Sequence, residues 1–251
     1  LSGLSRFARQ WLLPFFDPRQ VAGVARLPGF FREWREYRTQ AGEERIPWRD
    51  LYPCLSDRSS HTPFDPHYFF QGAWLARRLA QVQPTLHVDV GSSVMMVSVL
   101  SAQHPIVCVD YRPLRAALSG LTCVAATATR LPFSTGALES VSSLHVIEHV
   151  GLGRYGDPLD PSGSQAAAKE LSRVVRPGGR LFVSVPVGRP RVCFNAHRVF
   201  DPRSIQAMTA GMRLQAFSLV DDDGRFTQDA DICTAERQDY GCGMFEFIKP
   251  L

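Results

Sequence analysis

The sequence predicts an α/β protein: a doubly wound, mostly parallel, seven-stranded sheet with helices on both faces, plus a helical N-terminal extension. Three observations carry this. From residue 86 onward, short continuous runs of Val, Ile and Leu alternate with segments of helical pattern, as a parallel sheet covered on both faces requires. Two of the runs stop at Gly91 and Asp110, residue types suited to a ligand-binding turn. Residues 1–60 lack the alternation and are rich in Arg and aromatics instead.

The extension, residues 1–60, is cut by Pro14, Pro18 and Pro28 into two or three short helices. A loop punctuated by Pro47, Pro53 and Pro63 follows, and the main domain spans 61–251. Asp65-Pro66 reads as an N-cap with proline in the first helical position, opening a helix to about residue 82. Strand 86–90, helix 94–100 and strand 105–109 come next, then strands at 121–126 and 140–146. Helix 164–175 leads to a fifth strand at 180–185. A helix behind the Asp201 cap and two late strands, 214–220 and 244–248, complete a Rossmann-like sheet.

Composition excludes several classes. The 251 residues are 45% hydrophobic and 21% charged, with 28 basic against 24 acidic side chains, an ordinary globular balance. A net charge of +4 is too small for a nucleic-acid binder, which carries a denser basic stripe. The excess lies in residues 1–40, where seven Arg face Asp17, Glu33 and Glu36. The longest uncharged stretch, 90–109, is interrupted by Gly91, four Ser, Gln103, His104 and Pro105, so no bilayer-spanning helix is expected. Six cysteines without a CxxC pair suit a soluble protein of a reducing cytoplasm. Leu1, Leu4, Trp11, Leu12 and Phe15 with Arg6 and Arg9 form an amphipathic arm. It could lie peripherally on an anionic membrane, or pack as a lid or homodimer contact.

In a doubly wound sheet the ligand binds beyond the carboxyl ends of the strands. Gly91 and Ser92 follow the first strand, where free N–H groups of the next helix are available. Asp110, 21 residues beyond Asp89, ends the second strand, where a carboxylate accepts from ribose hydroxyls. A nucleoside-containing cofactor is implied. Gly91 is not followed by the further glycines of G-x-G-x-x-G, which argues against a dinucleotide.

Three segments resemble class I S-adenosylmethionine-dependent methyltransferases: Val88-Asp89-Val90-Gly91-Ser92, Thr127 to Phe133 leading into His145-Val146-Ile147-Glu148-His149, and Arg176-Pro177-Gly178-Gly179. The resemblance implies S-adenosylmethionine as cofactor. Asp89, Gly91 and Ser92 would lie beside its methionine part, Asp110 at the ribose, Thr127 and Ala128 at the adenine, and His145 near the sulfonium. Ser93 and Met95 replace later glycines of the family pattern, and Thr127 stands where Asp is common. The segment 144–161, with 64–69, 194–200 and 239–243, resembles a narrower branch associated with bacterial polysaccharide genes, which implies a small-molecule or glycan acceptor.

Methyl transfer is an in-line displacement at an activated centre, so positioning dominates and a base is needed only for a poor nucleophile. His149, His197 and Asp157 are the candidate bases or orienters, and Arg154, Tyr155 and Arg198 the candidate acceptor-binding residues. His67 and Tyr68, ahead of the first strand, could also reach the cleft. His145-x-x-Glu148-His149 matches a zinc-hydrolase pattern that needs both His on one helix face. Gly151 and Gly153 follow at once, so no metal site is expected there. The reading from another class is a methyltransferase-like module that has lost catalysis.

Overall fold

The structure, a computed structural model, describes residues 23–41, 46–209 and 211–251. The chain divides into two units, Leu1–Phe64 and Asp65–Leu251. In the first, helix α1 (Leu27–Gln40) carries Pro28 in its first turn, where a missing N–H leaves no bond unmade. Trp48 stacks on Phe31 at 5.5 Å and meets Trp34 edge-on at 5.6 Å, while Arg58 donates to both carboxylate oxygens of Glu33. The proposed arm from Leu1 to Phe15 lies outside the described residues. No helix among the described residues is long and apolar enough to cross a membrane.

In the second unit, Asp65 caps α2 (Pro66–Val82), its carboxylate accepting from the N–H of His67 at 2.9 Å and of Tyr68 at 3.3 Å. Next come β1 (His87–Val90), α3 (Val94–Leu100), β2 (Ile106–Asp110), β3 (Leu121–Ala125), β4 (Leu138–Leu144), α4 (Gly163–Val174) and β5 (Val175–Val187). A hairpin of β6 (Arg191–Cys193) and β7 (His197–Val199) precedes α5 (Pro202–Met208), β8 (Arg213–Val220), β9 (Phe226–Thr227), α6 (Ile232–Ala235) and β10 (Gly241–Ile248).

Eight strands pair in the order β3-β2-β1-β4-β5-β10-β8-β9. The first five are parallel, and β10 runs antiparallel to both β5 and β8. The eighth strand is the two-residue edge segment β9. Strand order reverses between β2 and β4 around β1, the position outside which such sheets bind ligands. The connections 111–120 and 126–137 contain no helix; Pro113, Gly120, Pro132 and Gly136 leave no uninterrupted run for one.

Alternation along β5 builds two cores. Leu181, Val183, Val185 and Val187 join Ala167, Ala168 and Leu171 of α4 and Ile205 of α5 on one face. Phe182 joins Trp74, Leu75 and Leu79 of α2 and Leu100 of α3 on the other. Each large buried side chain contributes about 1.5–3 kcal/mol. The sheet is thereby held rigid beneath its carboxyl edge.

Candidate functional site

A cavity of about 440 Å3 opens at the carboxyl edge of β1, β2, β3 and β4, within the roughly 300–1,000 Å3 range of small-ligand sites. Gly91, Ser92, Asp110, Thr127, Ala128, His145, His149, Tyr155 and Asp157 all line it. Asp89, Arg154, His197 and Arg198 are not among the lining residues.

The β1 end is a preorganised turn. Asp89 is fully buried; its carboxylate accepts from the N–H and hydroxyl of Ser92 at 3.1 and 2.7 Å and from the Ser142 hydroxyl at 2.5 Å. Burial pushes that carboxyl up to about 6, against the pull of those bonds. Ser92 Oγ in turn accepts from Leu144 N at 2.9 Å, tying β1 to β4. Asp89 and Ser92 therefore shape the turn. Gly91 has φ +72°, and a Cβ there would meet Val146 Cγ1 at 2.9 Å, so only glycine passes.

Asp110 ends β2 with Oδ1 accepting from Arg112 N at 2.6 Å. Val109, Ala126 and Ala128 give the cavity an apolar wall beside it. Thr127 Oγ1 lies 2.5 Å from the Thr129 hydroxyl and accepts from Thr129 N at 3.0 Å. These residues fit a nucleoside: a carboxylate for the ribose, small apolar side chains for a flat base, and a glycine turn for close approach.

The opposite wall is the loop after β4. His145 adopts φ +54°, a left-handed conformation costing roughly 1–3 kcal/mol in a non-glycine residue. Its Nδ1 stands 2.7 Å from Glu148 Oε1, and its ring stacks with those of His67 and Tyr68, both with centroids at 5.4 Å. Burial opposes its charged form, but Cys242 and Glu148 outweigh burial and hold its pKa well above the usual value. Burial first, then His145, pushes His67 down to about 4. Burial also raises the Tyr240 hydroxyl, with Glu148 adding to the effect.

His149 Nδ1 donates to Ala196 O at 2.5 Å, which leaves Nε2 as the nitrogen able to take a proton. Nε2 lies 3.7 Å from Glu148 Oε1, and burial lowers the pKa of the ring. Asp157 accepts from Gly151 N at 2.8 Å and Tyr155 N at 3.2 Å, which makes it an orienter of the loop. Arg112 sits 4.5 Å over the Tyr155 ring, with Arg154 at 5.2 Å. Arg154 also donates to Ala196 O at 3.2 Å.

Arg198 departs from the expected acceptor role. It is 8% exposed and donates to Val150 O at 2.6 Å and Ser164 Oγ at 2.9 Å, holding the loop to α4. His197 packs against Tyr240 at 5.0 Å, and burial, followed by His149, lowers its pKa. Residues 145–150 form a bend and turns rather than a helix, so His145 and His149 are not presented from one helix face, as the zinc-hydrolase pattern needs. Cys242 received no role from the sequence. Its Sγ lies together with nitrogens of His67 and His145, all within 4.8 Å of one another. No sequence spacing announces a cluster drawn from a helix start, a strand end and the last strand.

Residues 90–238 match the model of a family described as "Caenorhabditis protein of unknown function, DUF268". No curated protein matches the sequence. Among solved structures, a Burkholderia thailandensis 1,6-didemethyltoxoflavin-N1-methyltransferase with S-adenosylhomocysteine bound is 14% identical with a TM-score of 0.51, covering 95% of this chain and 92% of its own. The N-methyltransferase NodS from Bradyrhizobium japonicum WM9, also with S-adenosylhomocysteine, is 14% identical with a TM-score of 0.50, covering 79% of this chain and 92% of its own. A candidate sarcosine dimethylglycine methyltransferase from Galdieria sulphuraria is 13% identical with a TM-score of 0.53, covering 72% and 86%. At this identity the likeness is one of fold.

Proposed function

The chain belongs to the DUF268 family, and we propose that it transfers a methyl group from S-adenosylmethionine to a small-molecule or glycan acceptor. The observation that carries the proposal is the cavity at the switch point, where Gly91, Asp110 and the Ala126–Ala128 wall meet. The bound cofactor supplies a methyl group on a positively charged sulfur, already activated for displacement. Asp110 would hold the ribose and Gly91 would let the backbone approach. His145, His149 and Tyr155 line the remaining side, where an acceptor would be oriented and water excluded. His149 Nε2 would take the proton from a hydroxyl acceptor, with Nδ1 locked on Ala196 O and Glu148 beside it. His197 and Arg154 support this wall through Tyr240 and Ala196.

Met95, which replaces a glycine of the family pattern, is 72% exposed and does not line the cavity. Met95 therefore does not fill the cleft, which supports the enzyme reading over a module blocked by that side chain; the N-terminal residues 1–22, the other candidate block, lie outside the described residues. Titration calorimetry with S-adenosylhomocysteine tests the proposal. The intact chain should bind, and Asp110→Ala should weaken binding by about tenfold or more, the worth of a charge-assisted hydrogen bond. Absence of binding to the folded chain would sink the cofactor claim.

A further inference from the structure

The wall of the cavity formed by His145 continues into a cluster of a different chemistry. His67 Nδ1 or Nε2, a His145 ring nitrogen and Cys242 Sγ lie within 4.8 Å of one another. Nδ1 of His145 is engaged by Glu148 Oε1 at 2.7 Å, so Nε2 faces the cluster. Among the described residues that buried Nε2 has no nitrogen or oxygen partner, which leaves Cys242 Sγ as the group it meets, and Glu148 Oε2 has no partner either. With Nδ1 donating to Glu148, Nε2 beside a thiol and a second imidazole would bind an electrophile by giving up the proton that Cys242 and Glu148 otherwise hold on the ring. We propose that His67, His145 and Cys242 form a binding site for a zinc-class metal ion, with Glu148 as the outer carboxylate that orients His145.

The donor set fits that class. Imidazole and thiolate together select zinc over magnesium or calcium, which take oxygen ligands. A carboxylate on the far nitrogen of a ligating His fixes its tautomer and raises its basicity, the arrangement Glu148 makes. Two of the three ligands are rigidly placed. Cys242 lies inside β10, paired to Pro186 on one side and Val220 on the other, and His145 is locked in its left-handed turn. Tetrahedral ligands around zinc stand about 3.3–3.8 Å apart, from bond lengths of about 2.0–2.3 Å. His67, in the first turn of α2 and only half-buried, is the ligand free to close the difference.

Three protein ligands leave a fourth position open, the mark of a catalytic rather than a structural zinc site. His145 belongs both to the cluster and to the cavity lining, so, resting on the methyl-transfer reading above, an ion there would offer its fourth position to the oxygen of a hydroxyl acceptor. The metal site itself does not depend on that reading.

The test uses the full chain stripped with a chelator, then loaded with zinc or cobalt(II). About one zinc per chain should be retained at micromolar free metal, and the cobalt form should show a thiolate-to-cobalt charge-transfer band with tetrahedral ligand-field absorption. Cys242→Ser should abolish the charge-transfer band, and Cys193→Ser should leave it intact. Glu148→Gln should weaken metal binding by about 10–100-fold while the tetrahedral spectrum persists. Should Cys242→Ser fail to fold, His67→Ala decides: unchanged zinc affinity overturns the proposal. Failure of the folded wild-type chain to retain zinc, or a band that survives Cys242→Ser, overturns it as well. S-adenosylhomocysteine titrated into the metal-free chain separates the two readings, since binding there upholds the proposed function even if the metal site fails.

Discussion

Two residues apart on β1, His87 and Asp89 point into the sheet domain and both are fully buried. Ser142 Oγ joins them, 2.8 Å from His87 Nε2 and 2.5 Å from Asp89 Oδ2. Burial, with His104 adding, pushes His87 down from 6.5 to about 3; burial pushes Asp89 up from 3.8 to about 6. The signs are opposite in consequence. The folded state resists protonating His87, so that contribution is complete above 6.5 and drains as pH falls toward 3, by roughly 5 kcal/mol. The folded state prefers Asp89 protonated, so its contribution is complete below 3.8 and is lost as pH rises through 6, by roughly 3 kcal/mol. Asp89→Asn should therefore gain on the wild type as pH rises from about 4 to about 7, because the amide keeps the Ser92 N–H bond without the buried charge. Urea unfolding across that range reads the slope, and a difference between the two proteins that does not change with pH would refute it. The sequence showed Asp89 only as an acid at a cofactor turn; its fully buried setting comes from β4, which brings Ser142 across from 53 positions away.

At the scale of elements, the loop after β4 depends on glycines of unequal importance. Gly151 has φ +80°, and a Cβ there would meet Asp160 O at 2.0 Å. Gly156 has φ +83° with no atom of the described residues within 4 Å of the same position. Gly156→Ala should cost about 1 kcal/mol, the left-handed penalty alone. Gly151→Ala adds a backbone clash and should cost about 2 kcal/mol or more, with weaker S-adenosylhomocysteine binding because Gly151 lines the cavity. Thermal unfolding of the two variants side by side checks the order; equal shifts would contradict it. The α2 cap is a third case: Asp65→Ala should lose about 0.5–2 kcal/mol and loosen the His67 turn, read by amide exchange at His67 and Tyr68.

The elements with strong local signals were legible in the sequence. Asp65-Pro66 and Asp201-Pro202 open helices through side-chain caps, and the apolar runs of β1, β2 and β5 form central strands. The hairpin of β6 and β7 was not, since each strand is three residues long and too short for a period to register. That hairpin brings Ala196 O to His149, so the local setting of the candidate base was hidden with it. Arg198 differs between sequence and structure for a related reason. A lone Arg in a loop reads as an exposed grip, and only the folded chain shows loop carbonyls converging on its guanidinium.

For the whole molecule, the two units differ in what they hold. Among the described residues, those of both buried clusters fall between Phe70 and Phe247, and those lining the cavity fall between Val90 and Gly163. Among the described residues of the first unit, helix α1 buries none, and its aromatic contacts run to Trp48 within the same unit. The sheet domain thus contains the apolar burial that drives its own folding, and the cap that starts it, Asp65, is its first residue. Residues 65–251 expressed alone should unfold in one cooperative transition and bind S-adenosylhomocysteine within about threefold of the full chain, since a change of that size is below 1 kcal/mol. Differential scanning calorimetry and titration calorimetry on both proteins make the comparison. A fragment that folds but loses binding would assign the extension a direct part in the site. A fragment without a cooperative transition would mean that residues 1–64 supply burial the sheet domain needs.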